Sequence, residues 1–243
     1  MDKNALKWDG MAAEFDASST PVFAEVADNK VIAWPVVLEL IKKYARKGGP
    51  LKILDFGCGA GWLCQELHEA GCKVVGVDFS KAMIDIAGKN SPSEIEYVVG
   101  DQTVLKSFAS GFDAITSIMV LQFVDDAGLA SIVRSVHKAL KPNGIMVIAI
   151  VNPAFVANCI ENKVRFKKIA CKTADKFVLS FKPGVSFNVF MRNANAYNAI
   201  FSQAGFTELN RRTPAFPPGF SEEFGWTLPT NVPEFLIMAF RKK

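Results

Sequence analysis

The chain has 243 residues, half of them apolar and 21% charged, with a net charge of +4 at pH 7. This suits one α/β domain with a sizeable core and excludes bulk disorder and a small disulfide-built scaffold. Mean hydropathy is +0.18, yet the longest apolar run, Ile145–Val151, is seven residues, too short to span a bilayer.

Residues 1–50 read as a helical N-terminal cap. The stretch to Asp16 carries Asp2, Asp9, Glu14 and Asp16 and has no apolar segment, so it does not read as a signal peptide. Val31–Arg46 places apolar residues on one helical stripe, and Gly48-Gly49-Pro50 ends it. From Leu51 onward strands and helices alternate: strand Leu51–Phe56, glycine turn, helix Trp62–Ala70, strand Lys73–Val77 ending at Asp78. Ser80 is placed to cap a helix over Lys81–Lys89, followed by a strand Ile95–Val99 and a strand Phe112–Ser117. Asp125 or Asp126 caps a helix reaching Leu140; Pro142-Asn143-Gly144 turns the chain into the strand Ile145–Val151. This alternation predicts βαβ units and a mainly parallel sheet.

The pattern changes after Asn152. A helix over Pro153–Asn162 precedes two apolar-alternating runs, Lys176–Phe181 and Ser186–Met191, around Lys182-Pro183-Gly184, which predict a β-hairpin. A helix Asn195–Ala204, a strand Phe206–Arg212, a Pro- and Phe-rich loop and a strand Phe235–Phe240 close the chain. The irregular part, 153–190, reads as a lid inserted into the 51–243 domain, aromatic and basic together. Between Glu161 and Arg192 eight lysines and arginines face two acids, a local excess that would suit an anionic partner. Five cysteines (58, 64, 72, 159 and 171) form no CxxC pair. They predict a reduced, cytoplasmic chain without a structural metal site.

The most informative string is Ile53-Leu54-Asp55-Phe56-Gly57-Cys58-Gly59-Ala60-Gly61. A strand running into a glycine turn that opens a helix lets backbone approach a ligand closely. Asp78, at the end of the next strand, is placed to accept from ribose hydroxyls. A dinucleotide fingerprint would need glycine at position 62, which is Trp62.

The GxGxG spacing, with an acid two residues ahead, resembles motif I of the class I S-adenosylmethionine-dependent methyltransferases. The resemblance runs from about Asp9 to Val151. It includes Asp78-Phe79, Gly100-Asp101-Gln102, the segment Phe112–Leu121 and Leu140-Lys141-Pro142-Asn143-Gly144. It implies a Rossmann-like fold with a seven-stranded, mostly parallel sheet whose last strand is antiparallel. It also implies S-adenosylmethionine as cofactor, S-adenosylhomocysteine as product, and a small-molecule acceptor. By the same resemblance Asp55, Gly57, Cys58, Gly59 and Gly61 form the methionine-binding loop. Asp78 and Phe79 meet the ribose and adenine, Met83 covers the ring, and Asp101 and Gln102 meet the adenine edge. Ser117 and Met119 lie by the methionine tail. Trp8-Asp9 and Ala13-Glu14-Phe15-Asp16 resemble the opening of small-molecule members, placing Trp8 and Phe15 over the sulfonium, whose charge aromatic faces favour.

Methyl transfer from a sulfonium is an in-line displacement with a neutral leaving group, so positioning dominates. Neither His68 nor His137 falls near the expected carboxyl edge, and no histidine base is evident. Gln122 and Tyr197 are the catalytic candidates; Gln122, Asn188, Arg192 and Tyr197 are the candidates for acceptor contact. An anionic or aromatic metabolite, methylated on oxygen or nitrogen, is the expected substrate. Two alternatives stay open: an RNA or protein methyltransferase docking through the basic 161–192 segment, and a non-catalytic S-adenosylmethionine-binding protein. The sequence shows no nucleic-acid module and no membrane segment, and is compatible with a monomer or a homodimer.

Overall fold

A computed structural model describes residues 3–16, 27–46, 48–108, 110–164, 166–169, 175–182 and 184–243. Helix α1 (Lys3–Asp9) leads to a short turn at Ala12–Phe15; α2 (Trp34–Tyr44) follows a wide helical turn at Asn29–Ala33. The regular α/β region then runs β1 (Lys52–Phe56), α3 (Trp62–Glu69), β2 (Lys73–Asp78), α4 (Lys81–Asn90), β3 (Glu96–Val99), β4 (Phe112–Ile118), α5 (Asp126–Ala139) and β5 (Leu140–Val151). Ser80 caps α4 by accepting from the Met83 N–H at 3.2 Å, and Asp125, rather than Asp126, caps α5 through the Gly128 N–H at 2.8 Å.

The second half contains α6 (Pro153–Glu161), β6 (Phe166–Ile169), β7 (Asp175–Lys182), β8 (Val185–Met191), α7 (Ala194–Gln203), β9 (Phe206–Arg212), α8 (Phe220–Phe224) and β10 (Phe235–Lys242). The main sheet has seven strands in the order β3-β2-β1-β4-β5-β10-β9. β10 is antiparallel to both of its neighbours, while β1 to β5 pair in parallel, so the Rossmann-like expectation holds. β10 lies inside the sheet because Phe235–Phe240 are all buried and need cover on both sides; the polar β9 takes the edge.

Alternating strand residues feed two cores. Ile53, Ala114 and Val147 pack against α2 and α3, whereas Leu54, Ile115 and Ile148 pack against α5 and α7. β6, β7 and β8 form a separate antiparallel sheet over the carboxyl end of the main one. The hairpin was expected; β6 was not, because Phe166-Lys167-Lys168-Ile169 shows no period-two apolar pattern. Helix α8 also went unread, inside a stretch dominated by proline and phenylalanine. The Pro142-Asn143-Gly144 turn is absorbed into β5, with Asn143 at φ 61° and a register shift opposite Phe112/Ala114. Among the described residues no helix is long and apolar enough to cross a membrane. Cys58, Cys64 and Cys72 are free thiols, and Cys171 lies outside the described residues.

Candidate active site

The glycine turn is tied to β2. Gly57 and Cys58 both donate their N–H to the Val77 carbonyl, at 2.7 and 3.1 Å, and Gly59 donates to Asp78 Oδ2 at 2.9 Å. Gly57, Gly59 and Gly61 have φ of 80°, 52° and 82°, the left-handed region that disfavours a side chain. A Cβ on Gly57 would come 2.3 Å from Val120 Cγ2; a Cβ on Gly59 would meet nothing within 4 Å, leaving its backbone open to a ligand.

Gly61 serves another purpose. It starts α3, and Tyr97 Oη occupies the place of a Cβ, at 2.3 Å. It does not line the cavity, which corrects its assignment as a cofactor contact: the third glycine admits the Tyr97 ring.

Two buried carboxylates flank the turn. Asp55 is 3% exposed and accepts from Thr116 Oγ1 at 2.7 Å, with Cys64 Sγ 3.8 Å from its other oxygen. Burial pushes its carboxyl up to about 7, against the Thr116 hydrogen bond, and the charge of Asp78 adds to the rise. Asp78 is also raised by burial, opposed by the N–H groups of Ser80 and Gly59. Its two oxygens each hold one of those N–H groups at 2.9 Å, which fixes the carboxylate at the strand end and leaves lone pairs for further donors. Asp101 is exposed and accepts from the Thr103 N–H at 2.8 Å.

These groups open onto a cavity of about 1240 Å³. That exceeds the roughly 300–1,000 Å³ of most single-ligand sites. Of the expected cofactor residues, Trp8, Phe15, Asp55, Gly57, Cys58, Gly59, Asp78, Phe79, Met83, Asp101, Gln102 and Met119 line it. Ser117 does not. Strand alternation turns it to the α5 side, opposite Ile148, where it is fully buried. Met119 sits at φ 58° and donates its N–H to the Ala149 carbonyl at 2.7 Å. This is a conformation that a β4–β5 edge must over-determine.

Of the acceptor candidates, Gln122 and Asn188 line the cavity. Arg192 and Tyr197 do not, and both assignments are corrected. Arg192 Nε donates to Asp126 Oδ1 and Nη2 to the Val124 carbonyl, each at 2.7 Å, so it locks β8 onto the start of α5. Tyr197 is 1% exposed in the α5/α7 core, where burial pushes its phenol up to about 12. The amphipathic phase of α7 turns this tyrosine inward, a fact that its sequence spacing did not separate from an outward one. His68 and His137 also lie off the cavity, and His137 packs edge-on against Phe206 at 5.2 Å.

The N-terminal helix docks through Asp9, Lys7 and Trp8. Asp9 Oδ1 accepts from Ser80 Oγ at 2.6 Å and from the Ala82 N–H at 3.2 Å. Lys7 Nζ donates to the Ser186 carbonyl at 2.9 Å. The Trp8 ring lies 4.5 Å from that of Phe187 and 5.6 Å, edge-on, from that of Phe123. Trp8 therefore joins α1, the small sheet and the turn after β4 at one wall of the cavity.

Other lining residues went unread in the sequence. Asp28 and Trp34 come from the start of the α2 segment, Trp226 and Leu228 from the loop after α8, and Glu234 from the entry to β10. Trp62 lines the cavity too, although its sequence signal was only the absence of a glycine. Lys163 is the one cation lining the cavity among the described residues. Lys168 and Lys176 instead lie over the rings of Phe177 and Phe190. Arg165 and Lys172 lie outside the described residues.

Residues 53–144, which hold the turn, Asp78, Asp101 and β4, match the family model described as a methyltransferase domain. Over those residues the chain is similar to a methyltransferase domain. The chain is 37% identical over 111 residues to a ubiquinone biosynthesis O-methyltransferase from Bartonella tribocorum, covering 44% of each chain. It is 36% identical over 105 residues to the protein of that name from Pelagibacter ubique, covering 42% of each. The matched part is thus less than half the length of these relatives. Among solved structures, the fold is shared with an S-adenosylmethionine-dependent methyltransferase from Mesorhizobium loti. The TM-score is 0.60 at 24% identity, over 84% of this chain and 96% of that one. It is shared also with 1,6-didemethyltoxoflavin-N1-methyltransferase from Burkholderia thailandensis, solved with S-adenosylhomocysteine. There the TM-score is 0.63 at 16% identity, over 99% of this chain and 88% of that one. Residues 53–144 supply the glycine turn, Asp55, Asp78, Asp101 and Phe123, and the segments outside them supply Trp8, Asp28, Trp226 and Glu234.

Proposed function

We propose that the protein is an S-adenosylmethionine-dependent methyltransferase acting on a small aromatic molecule. The observation that carries this reading is the single cavity in which the open Gly59 backbone, Asp55, Asp78 and Asp101 meet walls from Trp8, Phe123 and Trp226. One part suits the cofactor and the other an apolar ring.

The residues present fit the cofactor. When bound, S-adenosylmethionine supplies an electrophilic methyl group on a cationic sulfur. Asp55, at the end of β1, provides the carboxylate that favours the ammonium of its amino-acid tail. Asp78 accepts from the ribose hydroxyls, and Asp101 from the exocyclic amine of adenine. Phe79 and Met83 cover the ring. Trp8 and Phe15 present aromatic faces, which suit a cation. The aromatic walls exclude water and hold the acceptor in line with the methyl carbon, the arrangement from which most of the acceleration derives. No histidine lines the cavity among the described residues.

Calorimetric titration with S-adenosylmethionine, S-adenosylhomocysteine and NAD tests the cofactor. Tight binding of the two sulfur ligands and none of NAD is expected; the reverse would sink the reading. Transfer of a labelled methyl group to aromatic acceptors then tests turnover. A protein that binds the cofactor but labels no acceptor would be a non-catalytic binder.

A further inference from the structure

We propose that Gln122 orients the methyl acceptor, and that this acceptor is an uncharged planar molecule whose O–H or N–H donates to the Gln122 side-chain carbonyl. The proposal rests on the methyltransferase reading above. Gln122 is held by the single turn Leu121–Phe123 beyond β4, is 2% exposed, and lines the cavity. Its Nε2 reaches Met119 Sδ at 3.7 Å, and its Oε1 is buried with no hydrogen-bond partner. A buried carbonyl left without a donor is unfavourable by about 1–3 kcal/mol. A ligand that brings a donor to it recovers that energy, and one without a donor does not.

The surroundings specify the rest of the ligand. Phe123, next in sequence, forms an aromatic wall with Trp8 and Phe187, with ring centroids 4.5–5.7 Å apart. Val151, Phe166 and Leu179 bring apolar surface from β5 and the small sheet. An aromatic ring matches this enclosure. A negative charge does not: Asp28, Asp55, Asp78, Asp101, Asp125 and Glu234 line the cavity against one described cation, Lys163, while Lys168, Lys176 and Arg192 are engaged away from it.

The chemistry balances without a protein base. The acceptor's lone pair forms the new bond to the methyl carbon, and the carbon–sulfur bond breaks with its electron pair returning to sulfur. The O–H or N–H proton leaves to water, because an amide carbonyl accepts a hydrogen bond but not the proton. Gln122 is therefore a positioning residue whose effect is on which acceptor is held and at what angle.

The test uses matched pairs titrated into the full chain bound to S-adenosylhomocysteine: 2-naphthol against 2-methoxynaphthalene, and indole against N-methylindole, with 2-naphthoate as the charged arm. At least one donor-bearing compound should bind about tenfold or more tighter than its methylated partner; the pair that does so separates O–H from N–H acceptors. 2-Naphthoate should bind no better than 2-methoxynaphthalene. Gln122→Leu should remove the difference within that pair and leave the methylated compound unchanged. Gln122→Glu, which keeps an acceptor oxygen, should retain it. A purely structural role would weaken both members alike. The proposal is overturned by equal affinities within both pairs in the wild-type protein, by preference for 2-naphthoate, or by no binding of any of the five. Failure to bind S-adenosylhomocysteine would instead remove the methyltransferase reading, so the two failures are distinct.

Discussion

Val120 fills the space that a side chain on Gly57 would need: a Cβ there would lie 2.3 Å from Val120 Cγ2. The contact brings the end of β4 against the turn after β1, so the two strand ends that frame the cavity are set by one absent side chain. Gly57 is also at φ 80°. Gly57→Ala should therefore lower stability by about 1–3 kcal/mol and weaken S-adenosylmethionine binding. Val120→Ala placed in the same chain should recover part of the loss. Thermal unfolding and calorimetry on the three proteins check this; an unaltered melting temperature for Gly57→Ala would contradict the packing argument.

Asp78 holds the glycine turn and is assigned to the ribose. Asp78→Ala should weaken S-adenosylmethionine binding about tenfold or more, equivalent to ~1.4 kcal/mol. Methionine, which lacks the ribose, gives the control for any damage to the loop itself. If the variant binds the cofactor as the wild type does, the ribose assignment is wrong.

Asp55 makes both binding and stability depend on pH. Its carboxyl is raised from 3.8 to about 7 by burial. The folded protein therefore retains a proton that the unfolded chain releases between those values. Stability from this group is fully present below about pH 4 and is lost as pH rises through about 7, by up to about 4 kcal/mol. Asp55→Asn should be more stable than wild type at pH 8 and similar to it at pH 4, as followed by denaturant unfolding.

A cationic ligand reverses the preference of that site, because an ammonium favours the ionised carboxylate. S-Adenosylmethionine affinity should therefore rise between pH 5 and pH 7 in the wild-type protein, by up to about tenfold per unit. It should stay flat in Asp55→Asn. A steep rise in the variant would place the titrating group elsewhere.

Arg192 joins β8 to the start of α5 through Asp126 and the Val124 carbonyl. Arg192→Ala should cost about 2 kcal/mol, since two charge-assisted hydrogen bonds are lost, while S-adenosylmethionine affinity stays as in the wild type. A large loss of cofactor affinity in a protein of unchanged stability would return Arg192 to the binding site.

Much of the glycine-turn side of the cavity was legible in the chain. Glycines with an acid two residues ahead, an acid closing the next strand and a Gly-Asp after the third are local patterns, each set by the end of one strand. Apolar periodicity gave the seven strands of the main sheet, because a buried strand advertises itself in its own residues. The last strand being antiparallel came from the resemblance, and its burial between β5 and β9 agrees with its unbroken apolar run.

What only the tertiary structure decided depends on which side of an element faces inward and on what arrives from elsewhere. Ser117 and Met119 stand two residues apart, yet one is turned into the α5 core and the other lines the cavity. Tyr197 and Arg192 carry the right chemistry but are committed to a core and an ion pair. Trp226 and Asp28 reach the cavity from segments far from the glycine turn. The sequence by itself determined the strand order of the chemistry, because each motif lies within a few residues of its own strand end. Tertiary structure alone decided the remaining cavity walls, because they are assembled from α1, the turn after β4, the small sheet and the loop after α8, whose meeting no local pattern records.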